Sequence, residues 1–298
     1  MAILKPKPHH LPLVVITGPT ASGKTSLAIE IAQCFGGEII CADSRSVYKT
    51  MDIGTAKPSK AEQAKVPHWG LDLVDPDDYF SAADFKVYAL NKINEIRLRG
   101  NIPFLVGGTG LYIDAVLFDY QFGGKVDEET RSKLNNMSLL ELQEYCNKHN
   151  ITMPENKLNK RYIIRNIERN NISLLRRDDP IDDAIIVGIT TDKAILRSRI
   201  EQRIEQLFDD GVVDEAIMLG KKYSWDLEAM KGNIYQLARL YLAGELTMEN
   251  MKSKLVTLDW RLAKRQMAYL KRNKFIEWAD IDNAKIYLHE RLVKSNQT

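Results

Sequence analysis

The stretch that decides the fold is LPLVVIT at residues 11–17, followed directly by GPTASGKT at residues 18–25. The first part is apolar and rich in β-branched residues, which predicts a buried strand. The second part has two glycines separated by four residues and followed by Lys and Thr, the pattern of a phosphate-binding loop. Residues 24–35 then predict a helix that ends at Gly36. A strand, a glycine-rich loop and a helix in this order predict a site for a di- or triphosphate.

The residue types of this loop suit the chemistry of an anion. The glycines allow backbone N–H groups to point inward around a phosphate, at the positive end of the helix. Lys24 would neutralise the terminal phosphate, and the Thr25 hydroxyl would hold a Mg²⁺ ion. The alternative is a tight turn with a surface lysine. The predicted phosphate-binding residues are Gly18, Pro19, Thr20, Ala21, Ser22, Gly23, Lys24 and Thr25.

Working outward, strands and helices alternate through the first part of the chain. Further strands are predicted at 38–42 and 102–106, with a helix at 85–99 between them. This alternation predicts right-handed crossovers and a parallel sheet. A strand at 184–190 resumes the pattern, and mostly helix follows.

The alternation is interrupted after Phe118. Residues 121–183 contain no convincing strand, but helices are predicted at 128–134, 139–149 and 160–168. The sequence therefore predicts an α/β fold with a parallel sheet flanked by helices. Its core comprises residues 1–118 and 184–298, with a small helical domain inserted between them.

Asp43 follows the second predicted strand. The carboxyl ends of parallel strands line the ligand crevice of such sheets, and a carboxylate there can accept a proton from an incoming nucleophile. Alternatively, Asp43 or Ser44 caps a short helix at 45–49.

The strand at 102–106 ends in Gly107-Gly108-Thr109-Gly110 rather than in an acid. A hydrolytic ATPase normally places a Mg²⁺-organising Asp on such a strand, so its absence argues against activation of water. Thr109 offers a neutral hydroxyl beside the phosphate group that would leave in a transfer reaction. Alternatively, it caps the helix that follows.

Arg199 and Arg203 lie four residues apart on a predicted helix at 193–208. Their planar guanidinium groups suit the oxygens of a diphosphate. From spacing alone, ion pairs with Glu201 and Glu205 on a solvated helix face are the favoured alternative.

Composition excludes several classes of protein. The 298 residues are 44% hydrophobic with a net charge of +2, which is ordinary globular usage. Three cysteines are too few for a disulfide framework. The chain has no apolar run of about 18 residues and no secretory stretch at its start, so we expect a cytoplasmic protein without a membrane span.

The charge distribution is more informative than the net charge. Residues 157–177 hold seven basic residues and one acid, and residues 260–274 hold six basic residues and no acid. Solvated helix faces usually mix both signs, so two stretches of one sign indicate a nucleic-acid footprint.

Nine motifs together resemble one family, the bacterial tRNA dimethylallyltransferases, also called tRNA isopentenylpyrophosphate transferases. The most specific is MDIGTAKP at 51–58, which ordinary nucleotide kinases lack. The others are the loop at 18–25, Asp43-Ser44-x-x-Val47-Tyr48, Pro67-His68, Ser81-Ala82-Ala83-Asp84-Phe85, Gly107-Gly108-Thr109-Gly110-Leu111-Tyr112, Asn159-x-Arg161-x-x-x-Arg165-x-x-Glu168, Arg199-Ile200-x-x-Arg203 and Ala263-Lys264-Arg265-Gln266.

The resemblance implies a core like that of the P-loop NTPases and a prenyl transfer. The loop would hold the diphosphate of dimethylallyl diphosphate, with Mg²⁺ at Thr25. The acceptor would be the exocyclic amine of the adenine 3′ of the anticodon, in tRNAs reading codons that start with U. The implied catalytic residues are Asp43 as general base, Thr109 and Arg203. The implied tRNA contacts are Asp43, Ser44, Arg45, Ser46, Lys160, Arg161, Arg165, Lys264 and Arg265. The family is usually monomeric.

Two segments depart from the family pattern. Asn233-Ile234-Tyr235-Gln236 stands in place of the usual Ile-Gly-Tyr-(Lys/Arg), and Trp260 stands where an Arg is common. Both segments belong to the parts that the family uses for tRNA contact.

Three other functions compete with prenyl transfer to tRNA. They are a small-molecule kinase with ATP as donor, an adenylate prenyltransferase that acts on a free nucleotide, and a non-catalytic RNA-binding protein with a vestigial loop. The helical insertion and the basic stretches argue against the first two, because small acceptors need neither. Lys24, Thr25, Asp43 and Thr109 argue against the third.

Overall fold

The computed structural model describes residues 11–122, 128–154, 156–169 and 175–295. Within them, six parallel strands form one sheet in the order β3-β2-β4-β1-β5-β6. The strands are β1 (Leu13–Thr17), β2 (Gly37–Cys41), β3 (His68–Trp69), β4 (Ile102–Gly107), β5 (Ala184–Ile189) and β6 (Glu277–Ala279). This is the predicted fold class.

The central strands are buried on both faces. Every residue of β1, β2 and β4 is buried, as expected for strands covered by helices on either side. Val14 of β1 pairs with Phe104 on one side and with Ile185 on the other. The apolar run at 11–17 is therefore the centre of the sheet.

The first helices of the chain connect these strands. They are α1 (Lys24–Phe35), α2 (Lys60–Lys65), α3 (Ala82–Leu98) and α4 (Gly110–Leu117). The helix α3 begins at a capping box, in which Ser81 and Asp84 satisfy each other's backbone N–H groups. The phosphate loop lies between β1 and α1.

The chain divides into two compact units. One is Phe118–Asp179, and the other consists of the residues before and after it. The smaller unit contains α5 (Glu128–Asn136), α6 (Leu139–Lys148) and α7 (Lys160–Arg169). Its core includes Leu142, Cys146 and Ile163, all fully buried.

The later helices of the larger unit are α8 (Lys193–Asp209), α9 (Val212–Lys222), α10 (Asn233–Leu242), α11 (Met248–Leu270) and α12 (Ile281–Ser295). Sequence reasoning did not locate β3, β6 or α12. The two strands have two and three residues, too few to show a period. The helix α12 buries Ala284, Leu288 and Leu292 in the main core. None of the described helices could span a membrane.

The carboxyl ends of β1, β2 and β4 meet at one edge of the sheet. The Ala42 N–H donates to the Val106 carbonyl at 2.7 Å, and the Thr109 N–H donates to the Ala42 carbonyl at 3.2 Å. Gly107 is required at this point, because a Cβ there would come within 2.1 Å of the Ala42 carbonyl oxygen. The phosphate loop, Asp43 and Thr109 are thereby brought together.

Candidate active site

The phosphate loop has the backbone of an anion-binding turn. Gly23 precedes α1 with a φ of 88°, and Ala21 has a φ of 61°. Both values lie in the left-handed region, which an alanine adopts only at a cost of about 1 kcal/mol or more. The Lys24 ammonium donates to the Pro19 carbonyl at 3.1 Å. Burial lowers the pKa of Lys24 to about 8, although the Asp43 carboxylate opposes this shift.

The two arginines of α8 contact the loop rather than the nearby glutamates. Arg203 Nη1 donates to the Thr20 hydroxyl, and Arg199 Nη1 donates to the Ser22 carbonyl at 3.4 Å. Glu201 pairs with Arg197 instead, and Glu205 pairs with Lys252. The alternative of ion pairs along the helix is therefore wrong for both arginines.

Two buried polar atoms at this loop have no partner among the described residues, Ser22 Oγ and Arg203 Nε. A buried donor without a partner costs about 1–3 kcal/mol. A bound phosphate compound would supply acceptors for them. The residues present thus fit a diphosphate.

The donor set near the loop fits Mg²⁺ only together with such a ligand. No cluster of three or more His, Cys, Asp or Glu side chains able to hold a metal occurs in the described part of the chain. Mg²⁺ commonly takes one or two protein ligands and completes its shell with phosphate oxygens and water. Thr25 follows Lys24 at the start of α1 and lines the cleft that is described below.

Asp43 and Thr109 lie on adjacent strand ends and are linked through Ser44. The Ser44 N–H donates to Thr109 Oγ1 at 3.1 Å, and the Arg45 N–H donates to Asp43 Oδ1 at 2.8 Å. Residues 44–47 form a turn, not the short helix considered as an alternative. Asp43 Oδ2 accepts no hydrogen bond from the described residues, so it is available as a proton acceptor.

A cleft of about 780 Å³ lies at this edge of the sheet. Its lining includes Asp43, Arg199, Arg203, Gln266 and, from the phosphate loop, Thr20, Ala21, Gly23, Lys24 and Thr25. Thr109 follows the lining residue Gly107 in sequence and is not itself part of the lining. Much of the remaining wall is the loop 51–58, the most specific motif of the sequence. The cleft is large enough for a diphosphate and a second reactant.

The loop 51–58 is held by a carboxylate that sequence reasoning missed. Glu215 accepts hydrogen bonds from the backbone N–H groups of Asp52, Ile53 and Gly54 at 2.8, 2.7 and 2.8 Å. The Tyr235 hydroxyl donates to the same carboxylate at 2.8 Å. Glu215 is a buried acid on the apolar face of α9. An acidic residue among the apolar positions of a predicted helix was the feature of the sequence that could have pointed to this role.

Lys57, whose side chain is buried, stabilises the other end of the loop 51–58. The Lys57 side chain is only 3% exposed, and its ammonium donates to the Tyr48 carbonyl and to the carboxylates of Asp52 and Asp72, each at 2.6 Å. Gly54 has no room for a side chain, because a Cβ would lie 2.6 Å from the Tyr235 hydroxyl. The residues of this motif therefore shape the cleft wall.

The residues expected to contact tRNA differ in their surroundings within the larger unit. Lys264 and Arg265 are exposed on α11, and the Lys264 ammonium lies 5.2 Å from the ring of Trp260. Arg45 donates to the Glu228 carbonyl at 2.5 Å and lies 3.6 Å from its carboxylate. Ser46 is buried at 4% exposure and lines the cleft.

In the smaller unit, α7 carries the other expected tRNA contacts. Arg165 is exposed, whereas the Lys160 ammonium donates to the Asn135 carbonyl at 2.7 Å. The side chain of Arg161 lies outside the described part. Glu168 accepts two hydrogen bonds from Arg131, at 2.8 and 2.9 Å, so it is not committed to Arg165.

The departures from the family pattern also have structural partners. Asn233 donates to the Asp259 carboxylate at 2.9 Å, and the Gln236 amide donates to the carbonyls of Trp225 and Met230 at 3.0 and 2.9 Å. In this chain these two polar side chains fasten the start of α10.

Taken together, the fold and the site define a phosphate-loop transferase. The loop, two arginines and a lysine gather positive charge at one end of the cleft, with a carboxylate and a hydroxyl beside it. Strand β4 ends in glycines rather than in the acid that organises Mg²⁺ in hydrolytic ATPases. Positive charge placed in this way can stabilise a departing diphosphate.

Comparison with known proteins identifies the family. The model of the IPP transferase family matches residues 46–273, and that of the isopentenyl transferase family matches residues 11–71. The tRNA dimethylallyltransferase of Pelotomaculum thermopropionicum is 37% identical over 91% of both chains, and that of Desulforudis audaxviator is 38% identical over 91% of this chain and 92% of its own. The chain belongs to the tRNA dimethylallyltransferase family.

Solved structures agree with this assignment. The tRNA isopentenylpyrophosphate transferase of Bacillus halodurans is 32% identical, covers 96% of this chain and 98% of its own, and has a TM-score of 0.74. A eukaryotic dimethylallyltransferase, 22% identical with a TM-score of 0.73 over 90% of this chain and 73% of its own, shares the fold. The predicted family and the P-loop NTPase-like fold are confirmed.

Proposed function

We propose that the chain transfers the dimethylallyl group of dimethylallyl diphosphate to the N6 amine of the adenine 3′-adjacent to the anticodon, in tRNAs that read codons starting with U. Family membership supports prenyl transfer to tRNA. The observation that carries the proposal is the position of Asp43 and Thr109, joined through Ser44, beside a phosphate loop that α8 supplies with two arginines.

The reaction exchanges one bond for another. The N6 amine attacks the allylic carbon, and the bond between that carbon and the diphosphate oxygen breaks with its electron pair on the oxygen. Asp43 takes the proton that the amine loses, for which its Oδ2 is available. Thr109 Oγ1 is fixed by the Ser44 N–H and can donate its own hydrogen toward the reacting centre.

Negative charge accumulates on the departing diphosphate. Lys24, Arg203 and the loop N–H groups are positioned before the reaction, and preorganised donors of this kind stabilise the transition state at little cost of rearrangement. When bound through Thr25 and the phosphates, Mg²⁺ would add a further positive charge there. The diphosphate-binding residues of the proposal are Gly18, Pro19, Thr20, Ala21, Ser22, Gly23, Lys24 and Thr25.

The proposed contacts of the acceptor are basic residues, which each unit contributes separately. Arg45, Lys264 and Arg265 belong to the larger unit, and Lys160, Arg161 and Arg165 to the helical insertion. The adenine must leave its stack to reach a cleft, and we propose that Asp43, Ser44 and Ser46 meet it there. The family resemblance supports a cytoplasmic monomer.

The test is transfer itself. The chain is incubated with dimethylallyl diphosphate, Mg²⁺ and unmodified tRNA, and the digested nucleosides are analysed by mass spectrometry. We expect isopentenyladenosine only from tRNA with adenine at the target position, and none from a matched tRNA carrying guanine there. Transfer to free adenylate would instead support the adenylate prenyltransferase, and tRNA-independent turnover of ATP would support the kinase.

A further inference from the structure

Gln266 of α11 contacts the middle of the phosphate loop. Its Oε1 accepts a hydrogen bond from the Thr20 N–H at 2.9 Å. The Thr20 hydroxyl accepts from Arg203 of α8. Thr20 is therefore held by two helices that lie far from the loop in sequence, and one of its two ties is the amide of Gln266.

The opposite end of this amide lies beside Gly108, in the turn that carries Thr109. Because Thr20 N–H is a donor, the oxygen of Gln266 must point to it, and Nε2 must point away. A Cβ on Gly108 would lie 2.5 Å from Nε2 and 3.1 Å from the Gly18 carbonyl oxygen. Nε2 thus occupies the narrow space between the phosphate loop and the turn that carries Thr109.

This amide nitrogen donates to no acceptor among the described residues, and Gln266 lines the cleft. Its two hydrogens are neutral donors beside a loop built for an anion. A diphosphate bound in the cleft would offer them acceptors in place of water. The absence of a side chain at Gly108 is what leaves room for this arrangement.

We propose that Gln266 is a diphosphate-binding residue: its Oε1 holds the Thr20 amide and so the phosphate loop, while its Nε2 donates to an oxygen of the donor's diphosphate. The inference rests on the proposed function, because it takes dimethylallyl diphosphate as the ligand of the loop. It adds a neutral donor from α11 to the charged donors of the loop and of α8.

The experiment measures binding of inorganic diphosphate with Mg²⁺ to the full chain by calorimetry. Gln266→Met keeps the length of the side chain without its polar atoms, and we expect roughly tenfold weaker binding, as for a lost hydrogen bond to a charged group. Gln206→Met is the matched control. Gln206 lines the same cleft, but its amide donates to Asp210 at 2.8 Å, so diphosphate affinity should change less than twofold.

A second variant separates the two ends of the amide. Gln266→Glu keeps an acceptor for Thr20 but replaces the donor with a negative oxygen, so we expect weaker binding than in Gln266→Met. In turnover, Gln266→Met should raise the KM for dimethylallyl diphosphate more than it lowers kcat. Its melting temperature should fall only slightly, as expected for the single lost hydrogen bond to Thr20, and its tRNA affinity should stay at the wild-type value.

The outcomes distinguish this inference from the proposed function. A wild-type chain that neither binds diphosphate nor prenylates tRNA would contradict the function. A wild-type chain that does both, beside a Gln266→Met variant with unchanged diphosphate affinity, would overturn the role of Gln266 alone. The role is equally overturned by wild-type affinity in Gln266→Glu, or by a parallel loss of tRNA binding and melting temperature in Gln266→Met.

Discussion

Two loops that border the same cleft are stabilised in opposite ways. In the loop 51–58, three backbone N–H groups bind the carboxylate of Glu215, an anion that belongs to the protein. At the phosphate loop, Ser22 Oγ of the loop and Arg203 Nε of α8 are buried without a partner among the described residues. The first loop is complete without a ligand. The second leaves hydrogen-bonding groups unpaired until a ligand binds. This difference distinguishes the wall of the cleft from the binding site.

The difference also locates the chemistry. Glu215 accepts hydrogen bonds from the Tyr235 hydroxyl and from three backbone amides, so its oxygens are occupied within the protein. Asp43 has one described donor, the Arg45 N–H. A carboxylate with an unoccupied oxygen can meet a reactant in the cleft, whereas one whose oxygens are all hydrogen-bonded holds the protein together.

The largest effect is expected at Asp43. Asp43→Ala and Asp43→Asn should each slow prenyl transfer by roughly 10²–10⁴-fold, the usual range for a positioned general base. Single-turnover kinetics with tRNA and dimethylallyl diphosphate measure this, and calorimetry should show that diphosphate still binds. Asparagine keeps an oxygen for the Arg45 N–H. A wild-type rate in Asp43→Asn would therefore show that Asp43 only caps the turn.

The next largest effect is expected at Glu215, the carboxylate that binds the loop 51–58. Glu215→Ala leaves three amides and the Tyr235 hydroxyl without their acceptor, and it should lower the free energy of unfolding by about 2–4 kcal/mol. Urea denaturation measures it. Glu290→Ala, on an exposed face of α12, is the control and should change stability by less than about 0.5 kcal/mol. Equal stability of the two variants would mean that the loop 51–58 does not need Glu215.

A second internal anion extends the comparison to side-chain donors. Burial raises the pKa of Glu38, but hydrogen bonds from Arg99, Asn101 and Trp69 outweigh it, and the net pKa lies below the usual value. The stability that Glu38 contributes is therefore present above its unfolded pKa of 4.5 and is lost as the pH falls through its lower folded pKa.

The measurement is urea denaturation of the wild type and Glu38→Gln between pH 7 and pH 3. We expect the variant to be less stable by about 1–2 kcal/mol at pH 7, and the difference to narrow as the wild-type carboxyl is protonated. If the difference in the free energy of unfolding stays constant over the whole pH range, the variant is destabilised by altered packing or hydrogen bonding and not by the loss of the negative charge.

The same contrast explains what could be predicted from the sequence. The strand, the loop and α1 were predictable because their signals are local: an apolar run, glycine spacing and a helical period. The position of Asp43 on the wall of the cleft followed from its place after a strand. Glu215 and Gln266 were not predicted as parts of the site, because their partners are Asp52 and Thr20, 163 and 246 positions away in sequence. Such contacts depend on tertiary packing.

The smallest effect is expected far from the loops, on the helical insertion. Arg161 and Arg165 lie four residues apart on α7, and each would contact one phosphate of the acceptor. Replacing both with Ala should weaken tRNA binding severalfold at moderate salt and reduce the slope of log affinity against log salt by about two contacts. Diphosphate affinity should not change.

The double variant Arg197→Ala with Lys221→Ala removes the same charge from exposed helix faces outside both basic stretches and should leave the slope nearly unaltered. If both double variants bind tRNA with the wild-type slope, α7 is not part of the acceptor surface. The insertion would then resemble the loop 51–58, a segment whose charges are satisfied within the protein, as Glu168 is by Arg131.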